Sequence, residues 1–425
     1  MSAATAAPPV SAERIEASLR AFARIGYSAD GGMNRLAFSR ADLRARQLLL
    51  HLLRSLGLTV RIDEVGNVFG RLPGRESGLP LLLGSHLDTV PGGGRFDGAL
   101  GVVAALEAVR LLQERDVSPR HPVELVSFAC EESSRFGRGT LGSGVLAGTW
   151  GARELLGLSD GRGVRLEQAL RRAGIDPEGI DRARREPGDF LAYLELHIEQ
   201  GRVLEEARCQ VGVVEGIAAP TRFRVTLGGQ ADHSGATPMG LRHDALAGAA
   251  EIVLAVERAA RAVSGVVGTV GTLRLEPGAI NVIPGRVELG VDVRSTSAAD
   301  KARVVAAIRA EIARVAGARA LEWAITVLTD EEPVRLDPRL VDLLEDGCRA
   351  RAVPAVRLPS GAGHDAMQMA RLCPAGMLMV PSRRGVSHHR DEWTNLADIV
   401  AGVQVYADAA LALAEGWEHA PGFPD

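Results

Sequence analysis

The sequence predicts an α/β fold: a mixed-sheet domain interrupted by an inserted α+β sandwich. Three observations lead there. The 425 residues are too many for one hydrophobic core, so two domains are expected. Helical and strand patterns alternate through the first half, with continuous apolar runs such as Leu81-Leu82-Leu83 that mark a buried sheet. From about Gly212 the pattern becomes strand-helix-strand-strand-helix-strand, the order of a small α+β sandwich, before the first texture returns. The expected division is a disordered tail over 1–10, a main domain over 11–211 and 333–425, and an insertion over 212–332.

Each element has its own signal. Glu13–Ile25 and Ala41–Leu56 carry apolar residues at helical spacing. Thr59–Phe69 and Pro80–Ser85 read as strands, Ala99–Glu114 as a helix, and Val123–Ala129 as a continuous apolar strand. Within the insertion, Arg222–Gly228 alternates, Arg242–Ala262 is helical, Gly268–Leu275 and Val287–Arg294 read as strands, and Ala298–Val315 is helical. The main pattern resumes with the helix Pro338–Ala352, the Gly-rich Ser360–Gly363, the strand Gly376–Pro381 and a last helix, Leu396–Glu415.

Composition narrows the function classes. With 46% hydrophobic and 24% charged residues the chain has the make-up of a soluble globular protein. A net charge of -4 argues against a nucleic-acid footprint, and no apolar run reads as long enough to span a bilayer. Cys130, Cys209, Cys348 and Cys373 show no CxxC spacing and read as reduced, mostly buried thiols, which points to a cytoplasmic protein. The Ala/Pro-rich start lacks a basic n-region and an apolar h-region, so no signal peptide is expected.

The chemistry concentrates at strand ends. His86, Asp88 and Asp97 follow the run Leu81-Leu82-Leu83 and bracket a glycine turn, which suits a metal site: the strand fixes ligands and the loop leaves room. Alone, the segment also has a lesser structural reading, a solvated turn with a hydrogen-bonded histidine. Glu131 and Glu132 follow another buried strand, so one can bind metal while the other handles a proton; adjacent acids are more often a solvated pair. His197, in Glu195-Leu196-His197-Ile198-Glu199-Gln200-Gly201, is by itself more often a satisfied core histidine. His388 and His389 lie in a loop after a strand, and His233 lies in the insertion; each alone is ambiguous. Together, His, Asp, Glu, His and His at strand ends suit two borderline ions with N/O ligands, Zn or Mn, with Co or Ni also fitting. Such a pair activates water and polarises a carbonyl, and a nearby carboxylate relays the proton to a leaving nitrogen: amide hydrolysis.

These segments, with Ala231-Asp232-His233-Ser234-Gly235, Asn281-Val282-Ile283-Pro284-Gly285 and Ser360-Gly361-Ala362-Gly363-His364-Asp365-Ala366, resemble the di-zinc aminoacylase/carboxypeptidase G-type amidohydrolases. The likeness is greatest to their carbamoylase branch: N-carbamoyl-L-amino acid hydrolases, β-ureidopropionase and allantoate amidohydrolase. It covers nearly the whole chain after the tail. The resemblance implies a di-metal hydrolase domain with a lid and dimerisation domain inserted. His86, Asp97, Glu132, His197 and His388 are its implied metal ligands, with Asp97 bridging. Glu131 is the implied general base and acid, and Asp88 orients His86. His233 is implied to stabilise the oxyanion, often from the partner subunit of a homodimer. Gln200, Asn281, Arg294, Gly361 and Gly363 are implied substrate contacts, although Arg294 alone reads by default as a surface strand arginine and Asn281 equally as a turn residue; His364 and Asp365 read as support for the site in preference to a cap on the following helix. His389 falls at a variable position. One departure stands out: Ser133 replaces the glycine that usually follows the two glutamates.

The leading reading is hydrolysis of the ureido C–N bond of an N-carbamoyl-L-amino acid, a small carboxylate-bearing substrate, to amino acid, carbon dioxide and ammonia. Allantoate hydrolysis is the near alternative. An N-acyl amino acid or dipeptide fits less well, because His197 stands where peptidase relatives carry a carboxylate. A non-catalytic metal-binding protein of this fold, or a purely structural dimer scaffold, would leave Glu131 unexplained.

Overall fold

A computed structural model describes residues 9–114 and 118–416. Of the expected tail, residues 1–8 lie outside the described residues. Val10 does not belong to a tail: it is buried and donates its N–H to Gln404 Oε1 at 2.9 Å. The chain forms two compact units, one of residues 1–215 and 336–425 and one of Gly216–Arg335, against the expected insertion over 212–332.

In the first unit the strands are β1 (Thr59–Ile62), β2 (Val68–Leu72), β3 (Leu81–His86), β4 (Val123–Phe128), β5 (Ala192–Ile198) and β6 (Val211–Ile217), whose last residues pass into the second unit. The second unit holds β7 (Ala219–Gly228), β8 (Asp232–His233), β9 (Val266–Glu276), β10 (Val282–Ile283), β11 (Arg286–Ser295), β12 (Glu322–Asp330) and β13 (Val334–Arg335). The chain returns to the first unit with β14 (Ala355–Ser360) and β15 (Ala375–Val380). The large sheet runs β1-β2-β4-β3-β5-β15-β6, with β14 on β6. Its centre is parallel, β4 with β3, β3 with β5 and β5 with β15, whereas the pairs β1/β2, β2/β4 and β15/β6 are antiparallel.

Strands β3, β4, β5 and β15 are buried along their whole length, the signature of a sheet covered on both faces. This is why Leu81–Leu83 and Met377–Val380 read as apolar runs, while β4 and β5 also bury Glu124, Ser127, Glu195 and His197. The helices Ala99–Glu114 and Leu396–Glu415 pack on each other and on this sheet. By length and composition Leu396–Glu415 is apolar enough to cross a membrane, contrary to the expectation from the sequence. Here it is a core helix, with Ile399, Val403, Tyr406, Ala410 and Leu413 buried.

Thr59–Phe69 is not one strand. It breaks into β1 and β2 around a turn in which Asp63 accepts the N–H groups of Val65 and Asn67, and Gly66 has φ 94°. The second unit is a four-stranded antiparallel sheet, β12-β7-β11-β9, carrying the helices Ala245–Arg261 and Ala298–Ala318. On β7 and β11 inward Phe223, Val225, Leu227, Val287, Leu289, Val291 and Val293 alternate with polar residues. All four cysteines are free, three of them buried.

Candidate metal centre

Parallel strands end on one side of their sheet, and that carboxyl edge is where open α/β sheets place ligands. His86 is the last residue of β3, His197 the sixth of seven in β5, Glu131 and Glu132 follow β4, and His388 lies in the loop after β15. Asp97 sits just before the helix Ala99–Glu114, whose positive end favours a carboxylate.

The five expected ligands form two groups that share one residue: His86, Asp97 and His197, and Asp97, Glu132 and His388. Asp97 Oδ1 is 3.5 Å from His86 Nε2 and 3.3 Å from His197 Nε2. Asp97 Oδ2 is 3.3 Å from His388 Nε2, which is 3.4 Å from Glu132 Oε1. Three imidazole nitrogens thus converge on one carboxylate. Gly98 lets them do so: its φ is 64°, and a Cβ there would lie 2.4 Å from the His86 ring.

The back of each buried ring is tied to main chain, which fixes the tautomer and leaves Nε2 facing the pocket. His86 Nδ1 donates to the Asp88 carbonyl at 3.1 Å and His197 Nδ1 to the Ile198 carbonyl at 2.9 Å. The Asp88 carboxylate stands 3.7 Å from His86 Nδ1. Its two oxygens accept the N–H groups of Glu131 and Glu132, each at 3.1 Å. Asp88 therefore acts on both glutamates as well as on His86. Glu131 Oε2 is 3.6 Å from His86 Nε2.

The electrostatics fit a cation. Burial disfavours charge on His86, yet Glu131, Asp97 and Asp88 outweigh it and hold the ring protonated well above its usual range. Asp97 and Glu132 push His388 up to about 11. Asp97 goes well below the usual carboxylate range, because bonds from His197, His388 and His86 exceed the cost of burial. Glu131 goes the other way, raised well above that range by burial and by the neighbouring acids Glu132, Asp365 and Asp88 against the pull of His86. The donors gathered here are imidazole nitrogens and carboxylate oxygens, with no thiolate among them, a set that suits a divalent metal.

Gln200 joins the site, donating Nε2–H to Asp97 Oδ2 at 2.8 Å, while its buried Oε1 has no partner among the described residues. Gly361 and Gly363 follow β14 in the same unit. His364 packs edge-on against His197, with ring centroids 4.6 Å apart, and Asp365 accepts the Ser143 hydroxyl. His389 belongs to neither donor group; its Nδ1 accepts the Asp391 N–H at 3.2 Å. Ser133, in the turn after Glu132, has no positive φ, so the serine imposes no left-handed strain there.

His233, Asn281 and Arg294 belong to the second unit. His233 pairs with Val282, the residue after Asn281, and its Nδ1 accepts the N–H groups of Gly235 and Ala236. Arg294 grips Asp292 through two bonds of 3.0 Å. A residue absent from the sequence reading is Glu392, buried and bonded to the Asp97 main chain at 3.2 Å. Its only local signal is an acid four residues after His388.

A family model described as peptidase family M20/M25/M40 matches residues 82–412. An N-carbamoyl-L-amino acid amidohydrolase of Geobacillus stearothermophilus is 41% identical over 408 residues, covering 96% of this chain and all (100%) of the relative. An allantoate amidohydrolase of Bacillus subtilis strain 168 is 36% identical over 398 residues, covering 92% of this chain and 95% of the relative. Among solved structures, a hydantoinase/carbamoylase family amidase from Burkholderia multivorans superposes with a TM-score of 0.91 at 36% identity, covering 96% of this chain and 98% of that one.

Proposed function

The chain belongs to peptidase family M20/M25/M40 as an amidohydrolase of linear amides, and from that membership we propose that it hydrolyses the ureido C–N bond of an N-carbamoyl-L-amino acid. The observation that carries the proposal is the pair of donor groups meeting at Asp97, with Glu131 beside them, in a chain 41% identical to an N-carbamoyl-L-amino acid amidohydrolase. Two divalent ions, Zn or Mn, would be held by His86, Asp97 and His197 and by Asp97, Glu132 and His388. When bound, they supply Lewis acidity toward the ureido carbonyl and lower the pKa of water at the site.

The chain's own groups do the rest. Glu131 takes a proton from the attacking water, a task suited to a carboxylate whose proton affinity burial has raised. The water oxygen bonds to the ureido carbon, the bond from that carbon to the amino-acid nitrogen breaks, and Glu131 returns its proton to that nitrogen. The released carbamate decomposes to carbon dioxide and ammonia. Gln200 Oε1, buried without a partner among the described residues, accepts a hydrogen bond from the substrate. Gly361 and Gly363 offer main chain to it. His233 steadies the oxyanion, and Asn281 and Arg294 take the carboxylate, in a homodimer formed through the second unit. We place the protein in the cytoplasm.

Allantoate is the second reading, favoured by the relative that is 36% identical over 398 residues. The deciding experiment measures ammonia release by metal-loaded protein, with a chelated control. The panel is N-carbamoyl-L-amino acids, N-carbamoyl-β-alanine and allantoate. Metal-dependent release from the N-carbamoyl-L-amino acids is expected. Release from allantoate alone would move the assignment to that substrate, and silence across the panel would overturn the ureido reading.

A further inference from the structure

We infer that Glu392 is a positioning residue that clamps the loop carrying Asp97 to the loop carrying His388, and so sets the geometry of the donor group those two residues share with Glu132. Glu392 belongs to neither donor group, yet its carboxylate is buried between the two segments. Oε1 accepts the Phe96 N–H at 2.9 Å and the Asp97 N–H at 3.2 Å. Oε2 lies 3.2 Å from the Ser387 hydroxyl, which also lies 3.0 Å from Asp97 Oδ2. The Glu392 N–H closes the turn on the His389 carbonyl at 3.0 Å.

The neighbouring side chains stitch the same two segments. Phe96 meets Trp393 edge-on at 5.7 Å, and the Arg95 guanidinium lies 5.6 Å from the Trp393 ring. His388 needs such support, because it has φ 55°, a left-handed conformation that a non-glycine residue keeps only when its surroundings fix it. Gly94 records the clamp in the sequence. A Cβ there would lie 1.9 Å from the Glu392 carboxyl carbon and 2.0 and 2.3 Å from its oxygens. The carboxylate fills the space that a side chain at position 94 would need.

The inference rests on the metal reading above, and its test reads metal rather than turnover. Zn2+ is titrated against a chromogenic chelator, with no substrate, into wild type, E392A, E392Q, G94A and the G94A/E392A double variant, each checked by far-UV circular dichroism. In E392A one Zn2+ equivalent is expected to weaken by about 10–100-fold while the other keeps its affinity. E392Q is expected to lose less than about tenfold, because its amide oxygen still accepts both N–H groups and its amide nitrogen donates to Ser387. G94A is expected to weaken the same equivalent in wild type but to add little in the E392A background, since the clash partner is gone.

Wild-type affinity for both ions in E392A, or losses from G94A and E392A that add in full, would overturn the clamp. Should E392A fail to fold, E392Q and G94A decide alone: an E392Q weakened by more than tenfold or an unaffected G94A would overturn it. Failure of the wild type to bind Zn2+ at all would instead sink the metal reading.

Discussion

The two donor groups that meet at Asp97 use similar chemistry but are held by different means. In the first, His86 and His197 stand at the ends of neighbouring parallel strands, their side chains only 2% and 1% exposed, each ring bonded behind to a main-chain carbonyl. In the second, His388 sits on a loop in a left-handed conformation with half (50%) of its side chain exposed. A covered sheet fixes the first group, whereas side-chain bonds among Ser387, Gln200, Glu392 and Asp97 fix the second. If each group holds an ion, this difference predicts tighter binding at the first group than at the second.

The largest break of this pairing is Asp97→Ala, which removes the one carboxylate both groups share. It is expected to lose both ions and all measurable turnover, checked by metal analysis of the purified variant; one ion retained at full affinity would contradict the sharing. Glu131→Gln separates chemistry from binding. Metal content should stay at the wild-type level while kcat falls by about 10²–10⁴-fold, the usual worth of a positioned acid–base group. Substantial turnover in that variant would remove Glu131 from its role.

His233→Ala is expected to lower turnover by about 10²–10³-fold, as loss of an oxyanion donor does, with both ions kept. Metal loss there would make it a ligand. The smallest effect is that of Ser133→Gly. Position 133 needs no positive φ, so thermal or urea unfolding should shift by less than about 0.5 kcal/mol and metal content not at all.

How much of this was legible in the sequence follows the same division. Leu81–Leu83 of β3 is legible as an apolar run because both faces of the sheet are covered, β4 is mostly apolar around the buried Glu124 and Ser127, and His86, Glu131 and Glu132 are legible as polar residues at the strand ends. Gly66 marks the break at Asp63–Asn67, but apolar residues on both sides of the turn make the segment read as one strand. Strand β12, Glu322–Asp330, gave no named range: its residues are mostly exposed, so burial imposed no alternation on them. In the sequence only family likeness separates His388 from His389, and His388 is the one beside Asp97, at 3.3 Å.

Glu392 could not be read locally, since its partners Phe96 and Asp97 lie 296 and 295 residues away. Gly94 looked like one more loop glycine until the carboxylate beside it was placed. The role of Asp88 was only half legible: a carboxylate two residues after His86 suggested an imidazole partner, but its bonds to the Glu131 and Glu132 main chain depend on strand pairing between β3 and β4.

The most direct test of unequal groups around a shared carboxylate is a Zn2+ titration of wild type and His388→Ala against a competing chelator. Two ions per chain with distinct affinities are expected in the wild type. The variant is expected to keep the tighter ion with unchanged affinity and to lose the weaker. A single ion in the wild type, or loss of both ions together in the variant, would contradict the account.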